Sequence, residues 1–314
     1  QIVNKHVSLQ ILPEHYPIVG GCLLRAIGEV LGAEIATDEV IEAWAIAYRQ
    51  LADILIGAEE SQYAHNAAAP GGWRGARAFR VARKVAESTE ITSFYLVPAD
   101  GGALLDFQPG QYIGLRLLLD GEEVRRNYSL SAPANGREYR ISVKREAGGR
   151  VSNHLHDKVQ VGDQLELFPP AGEFILRDSA KPLALISAGV GITPALSMLD
   201  AARHSGRPIH FIHCARHAEV HAFRDWVEAR AAAHPQIRHY VCYSEPRAGD
   251  QADAEGFLSR ELLAQWLPAE RDLDAYFLGP KAFMAQVKRH LQELGVPPEQ
   301  SHHEFFGPAA ALDS

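Results

Sequence analysis

The sequence predicts a multidomain chain in which an all-α segment precedes an antiparallel β-barrel and then an α/β unit built on a parallel sheet. Three observations carry this prediction. Apolar residues recur every three or four positions up to about residue 66, but every second position from residue 77. Between the two patterns Pro70, Gly71, Gly72 and Gly75 break the chain as a linker should. From Pro182 onward, short apolar strands alternate with helical stretches, as in a parallel sheet with crossover helices. The expected boundaries are 1–66 for the helical part, 67–76 for the linker, 77–179 for the barrel and 180–314 for the α/β unit.

In the first segment Tyr16, Val19, Leu23, Ile27, Val30 and Leu31 mark one buried helix face, and Gly32 stands where that helix should stop. Thr37 can cap a second helix, with Asp38 and Glu39 against the positive end of its dipole. Val40, Ile41, Trp44, Tyr48, Leu51 and Leu55 are expected to form its buried stripe. Two long helices are too little for a covered core, so they are expected to lean on another domain or on a part that is missing. Barrel strands are expected near 77–85, 90–97, 111–118, 124–130 and 138–145, and sheet strands at 183–187, 209–214, 237–243 and 275–278.

Bulk properties exclude several function classes. A net charge of −8 argues against non-specific nucleic-acid binding, which needs a basic surface. Cys22, Cys214 and Cys242 are far apart and odd in number, with neither zinc nor iron–sulfur spacing, so a reducing, cytoplasmic setting is expected. No apolar run approaches the ~20 residues of a membrane span, and no signal peptide is visible. A chain that opens on Gln1 rather than Met is expected to have been cut from something longer.

The strongest local signal is Ile186-Ser187-Ala188-Gly189-Val190-Gly191-Ile192-Thr193-Pro194. Glycines let a backbone approach a pyrophosphate, and the helix that follows offers free N–H groups, with Thr193 as its expected N-cap and Pro194 as its first residue. A third glycine is lacking, and a plain strand-to-helix turn fits this segment equally well. In Arg126-Asn127-Tyr128-Ser129, after Pro109-Gly110-Gln111-Tyr112, the arginine can hold a phosphate as a planar fork. Two residues on, Tyr128 shares that strand face and can stack on a flat cofactor, or it can be an ordinary barrel aromatic. Gly149-Arg150-Val151-Ser152-Asn153 opens a helix that could meet further phosphate oxygens or simply be capped. Leu278-Gly279-Pro280 and Glu304-Phe305-Phe306-Gly307-Pro308 lie where strand ends gather ligands, and each could be a plain turn.

Taken in order, these segments resemble the ferredoxin–NADP reductase superfamily across residues 77–308. The resemblance implies an FAD-binding barrel followed by an NAD(P)H-binding α/β domain. By match to its motifs, Tyr112, Arg126, Asn127, Tyr128 and Ser129 would hold the flavin, with Val151, Ser152 and Asn153 at its phosphates. Gly189, Val190, Gly191, Ile192, Thr193 and Pro194 would carry the nicotinamide dinucleotide. Glu304 and Phe306 would lie beside the isoalloxazine, with Phe305, Gly307 and Pro308 of the same segment also at the cofactor. Leu278 stands where many relatives have cysteine, so a slower reductive half-reaction is expected.

The helical part, through Asn4-Lys5-His6, Pro13-Glu14-His15-Tyr16-Pro17, Ala43-Trp44, Tyr48, Glu59 and Tyr63, looks like the second half of a flavohaemoglobin globin domain. That resemblance implies His6 as the proximal ligand of haem b, with Tyr16 and Glu59 hydrogen-bonding behind it. It also implies nitric oxide dioxygenation: electrons pass from NAD(P)H to FAD to haem, and haem-bound O2 converts NO to nitrate. Only five residues precede His6, so the sequence is expected to be a fragment rather than a natural truncation, with haem retention by these residues alone in doubt. The alternatives are a flavin reductase or diaphorase without working haem, and a sensor module. NADH against NADPH depends on Arg216, which could meet a 2′-phosphate or face solvent. A monomer is expected.

Overall fold

The computed structural model describes residues 2–306. Its first part is three helices, α1 (Ile2–Ser8), α2 (His15–Leu31) and α3 (Asp38–Ala68). Gly32 stops α2 as expected, at φ +72° with its N–H on Gly28 O. Thr37 Oγ1 accepts the Val40 N–H at 3.4 Å and starts α3. The helices meet along one narrow seam, where Val7, Tyr16, Ala52, Glu59 and Tyr63 are buried. Here the expected stripes need correction: Val19, Leu23, Val30, Leu31, Trp44 and Leu51 are exposed. The helical period is right, but among the described residues nothing is packed on that side.

The helix α3 runs to Ala68, into the stretch expected as linker. Two contacts then tie the crossing down. Arg74 forms a fork on Glu60 of α3 at 2.6 and 2.7 Å, and the buried Trp73 donates its indole N–H to Leu167 O at 3.1 Å.

Six antiparallel strands follow: β1 (Arg77–Ala86), β2 (Ile91–Pro98), β3 (Tyr112–Leu119), β4 (Glu122–Ser129), β5 (Tyr139–Lys144) and β6 (Gln164–Leu167). Their order is β4-β3-β6-β1-β2-β5, and a bridge between Leu130 and Ile141 brings the two edges together. Alternating residues such as Phe79, Phe94, Leu96, Ile113, Leu115 and Ile141 fill the interior. Helix α4 (Arg150–Asp157) sits between β5 and β6. Strand β6 was not anticipated, because four residues are too few for a period of two to show.

The last part is a parallel sheet in the order β10-β9-β8-β7-β11-β12. Its strands are β7 (Leu183–Ala188), β8 (Ile209–Ala215), β9 (Ile237–Tyr243), β10 (Ala254–Glu255), β11 (Asp274–Leu278) and β12 (Ser301–His303). Its helices are α5 (Ile192–Ala202), α6 (Arg224–Ala233), α7 (Arg260–Trp266) and α8 (Lys281–Glu293). The chain winds outward from β7 through β8 and β9, then returns to the other side of β7 as β11. Strand order therefore reverses between β7 and β11, the place where open α/β sheets bind ligands. Among the described residues, no helix is long and apolar enough to cross a membrane.

Candidate functional site

Two cavities open around the end of β4. The larger, about 670 Å³, lies between the barrel, α1 and the C-terminal stretch, with Lys5, Tyr112, Arg126 and Glu304 among its walls. The smaller, about 380 Å³, lies between barrel, α4 and the α/β unit, with Tyr128, Ser152, Val190 and Thr193 in its lining. Arg126, Asn127, Ser129 and Phe306 line both. A long ligand could therefore run from one to the other past β4.

Strand alternation explains how β4 does this. Arg126 and Tyr128 share one face, while Asn127 stands opposite Gly114 on β3. The Ser129 hydroxyl is buried with no hydrogen-bond partner in the protein, a polar group that a ligand would satisfy. Burial pushes the Tyr128 phenol up to about 12, so it stays protonated and can donate. Together with α4, whose first turn brings Val151 and Ser152 to the cavity wall, these groups fit a flavin dinucleotide.

Two residues expected at the flavin also make structural contacts within the protein. The Tyr112 ring lines the larger cavity, but its hydroxyl donates to Ser8 Oγ at 2.9 Å and so helps dock α1. Asn153 lines neither cavity. Its amide donates to Glu146 O and Gly149 O at 3.0 and 2.8 Å, holding the loop that leads into α4.

At the end of β7 the glycine turn differs from expectation. Gly189–Gly191 is a short 3-10 turn, and α5 begins at Ile192 with Gly191 before it. Gly189, at φ +54°, already bends the chain toward helix, so Thr193 lies within α5 rather than capping it. The buried Thr193 hydroxyl donates to Val190 O at 2.9 Å. A side chain on Gly191 would meet Leu278 O at 2.3 Å, so this glycine exists for close packing of two strand ends. Val190 and Thr193 line the smaller cavity, whereas Gly189, Gly191, Ile192 and Pro194 do not.

The C-terminal stretch brings Glu304, Phe305 and Phe306 to the larger cavity, and Phe306 to both. Gly307 and Pro308 lie outside the described residues. Burial raises the Glu304 carboxyl to about 7, partly opposed by Lys5 across the cavity.

Beside this cavity a second constellation joins α1, α2 and α3. His6 Nδ1 lies 2.7 Å from Glu59 Oε1 and 3.1 Å from Tyr16 Oη, and Tyr16 donates to the same carboxylate oxygen at 2.6 Å. Glu59 is 2% exposed, so this carboxylate is committed to two donors. With Nδ1–H donated to Glu59, the ring presents Nε2 as its remaining lone pair, the arrangement a metal-bound histidine needs. Burial, then the hydrogen bond to Glu59, raises the Tyr16 phenol far above its usual range. Sequence reasoning missed the residues that seat α1 on the barrel. Asn4 donates to Glu173 at 2.6 Å, and Arg125 donates to Leu9 O at 3.0 Å. It also missed Ser142 and Lys144, although their spacing of two on β5 places both on the cavity side.

Comparison with known proteins agrees with this geometry. Family models for an oxidoreductase FAD-binding domain, an oxidoreductase NAD-binding domain and a globin match residues 78–175, 185–289 and 1–55. The Flavohemoprotein of Pseudomonas aeruginosa is 76% identical over the whole chain, which spans 80% of that relative. The Flavohemoprotein of Deinococcus radiodurans is 49% identical, with 99% of this chain and 79% of the relative covered. Among solved structures, the flavohemoglobin of Malassezia yamatoensis with bound FAD and heme superimposes with a TM-score of 0.83 at 26% identity, covering 98% of this chain and 78% of that one. The FAD/NAD-binding domain of the Vibrio cholerae nitric oxide dioxygenase gives 0.69 at 41% identity, covering 74% of this chain and 99% of that one.

Proposed function

The chain belongs to the flavohemoprotein family, and we propose that it acts as a nitric oxide dioxygenase that oxidises NAD(P)H and converts nitric oxide and dioxygen to nitrate. As a family member with both nucleotide-binding domains it is a flavin-dependent oxidoreductase. The observation that carries the finer reading is the His6–Glu59–Tyr16 constellation, whose His6 stands on the helix that also lines the flavin-sized cavity.

FAD supplies acceptance of a hydride from nicotinamide and release of single electrons, and haem b supplies a dioxygen-binding iron. The residues of the chain position these groups. Arg126 and the first turn of α4 would meet the flavin phosphates, while Ser129 and Tyr128 would fix the flavin's orientation by hydrogen bonding and stacking. Val190 and Thr193 bring the start of α5 to the same cavity, where a dinucleotide would meet free N–H groups. Phe306 lines both cavities and would lie against the flavin where they meet. Behind His6, Glu59 and Tyr16 are positioning residues. The carboxylate keeps the imidazole in one tautomer and makes it a stronger donor.

The test is consumption of nitric oxide by protein reconstituted with FAD and haem, measured at an electrode with NADH as reductant. NADH-dependent consumption with nitrate as product, lost in His6→Ala, is the expected result. Ferricyanide reduction without nitric oxide consumption would replace this reading by that of a diaphorase.

A further inference from the structure

At the carboxyl ends of β8 and β9 the rim of the proposed nicotinamide site holds two arginines, and both are already committed. Arg216, the residue after β8, is ion-paired with Glu90 at the β1–β2 turn of the barrel. Arg247 is paired with Glu219 at 2.5 Å. Asp250 accepts the N–H groups of Ala218 and Arg247 at 3.2 and 2.9 Å, and Glu245 N donates to Arg216 O at 2.8 Å. Two guanidinium groups thus share this rim with the carboxylates of Glu90, Glu219 and Asp250. The Glu90 turn is held in place independently, because Thr89 N and Thr89 Oγ1 both donate to Glu219 O, at 3.0 and 3.1 Å.

In a doubly wound sheet, a dinucleotide with its pyrophosphate at the first glycine turn places its adenine-side ribose at the end of the next strand. Here that turn follows β7 and the next strand is β8, which ends beside Arg216. A free arginine there would welcome a 2′-phosphate, whereas carboxylates favour the 2′-hydroxyl. We propose that Glu90, reaching across from the barrel, selects NADH over NADPH by occupying Arg216 and leaving the rim with excess negative charge. This rests on the nicotinamide-dependent reading above. Specificity on this account belongs to a contact between domains rather than to the α/β unit alone. It works by repulsion, since a phosphate dianion would have to displace a carboxylate and then face two more.

The test compares kcat/KM for NADH and NADPH with ferricyanide as acceptor in the full FAD-loaded chain. It also measures binding of 5′-AMP and of 2′,5′-ADP by calorimetry, which needs no turnover. The unaltered protein should prefer NADH by at least about ten-fold. Glu90→Gln should narrow that ratio about ten-fold, mainly through the KM for NADPH, and tighten 2′,5′-ADP but not 5′-AMP. Adding Arg216→Gln to Glu90→Gln should restore the original ratio. A ratio that does not move in Glu90→Gln, or a fall for both nucleotides alike as loss of a mere domain latch would give, overturns the inference. NADH reduction with that unmoved ratio leaves the reductase reading standing, whereas no NADH reduction in the unaltered protein removes both.

Discussion

Replacing Gly191 by alanine separates the two reasons a glycine turn can be needed. A Cβ at Gly191 would lie 2.3 Å from Leu278 O, 2.6 Å from Leu278 C and 2.9 Å from Gly279 N. Ordinary van der Waals contact begins at 3.4 Å, so the shortest of these is more than 1 Å too close. All three atoms are backbone at the end of β11, so no flexible side chain can yield. Overpacking of this kind costs about 1–3 kcal/mol, and a rigid partner places it near the upper end. Gly189→Ala is the internal control. It has a positive φ of +54° but nothing within 4 Å of its added Cβ, so only the backbone strain of about 1 kcal/mol applies. Relief of the Gly191 clash must push β11 and its Gly279-Pro280 turn away from β7, opening the cleft in which hydride would pass. Because reacting atoms need near-contact alignment, flavin reduction by NADH should slow by at least about ten-fold. Urea unfolding measures the first effect and stopped-flow bleaching of the flavin the second. If Gly191→Ala unfolds at the same urea concentration as Gly189→Ala and its flavin is reduced at the unaltered rate, the strand-packing account is wrong.

Arg126→Ala should weaken FAD binding about a hundred-fold, the loss of one charge-assisted phosphate contact, while leaving the urea midpoint of the apoprotein in place. Titration of apoprotein by quenching of FAD fluorescence checks this. Glu59→Gln should raise the reduction potential of bound haem, because the imidazole loses the anionic partner that makes it basic, and spectroelectrochemistry reads the shift. Glu304 gives a pH signature: its folded value of about 7 lies above the 4.5 of a free carboxyl, so folding favours the neutral form. Its contribution is full below pH 4.5 and is lost as pH rises through 7, so Glu304→Gln should gain up to about 3 kcal/mol on the parent at pH 8 and nothing at pH 4, by urea titration at both.

Much of the fold could be read from the chain because strongly periodic segments declare themselves. The five longer barrel strands and the four main parallel strands all fall where alternation or apolar runs place them. Short pieces such as Ala254–Glu255 and Ser301–His303 carry no period and are added by the ladders beside them. The helical segment shows the converse limit. Spacing gives the face on which Val19, Leu23 and Trp44 lie, but not whether anything covers it. At the site, Arg126, Tyr128 and Ser129 line the smaller cavity, but residue type alone left them open to an ordinary barrel role, and only the order of the motifs along the chain pointed to a flavin. The contact of Tyr112 with Ser8 could not be read from the chain, since 104 positions separate the two and only the fold brings them together, whereas Asn153 bonds locally to Glu146 and Gly149 in the loop before its helix. Thr193 misled for a local reason: a 3-10 turn ahead of it started the helix early.

Helix α1 is where the parts of the molecule become one machine. Lys5 lines the cavity that fits a flavin, while His6, the next residue, turns to Glu59 and Tyr16 on the other side of the helix. Successive residues on an α-helix point about 100° apart, so a single turn faces both sites. The spacing between them is set by how α1 sits on the barrel, through Asn4 on Glu173, Ser8 on Tyr112 and Leu9 on Arg125. Each of these contacts joins a residue of α1 or its end to a residue lining the same cavity. A helix of seven residues with few buried side chains has little stability of its own, so its position depends on these polar contacts. On the proposed reading, the distance from the flavin to a haem held by His6 therefore depends on Tyr112, Arg125 and Glu173 as well as on the groups that would hold the cofactors.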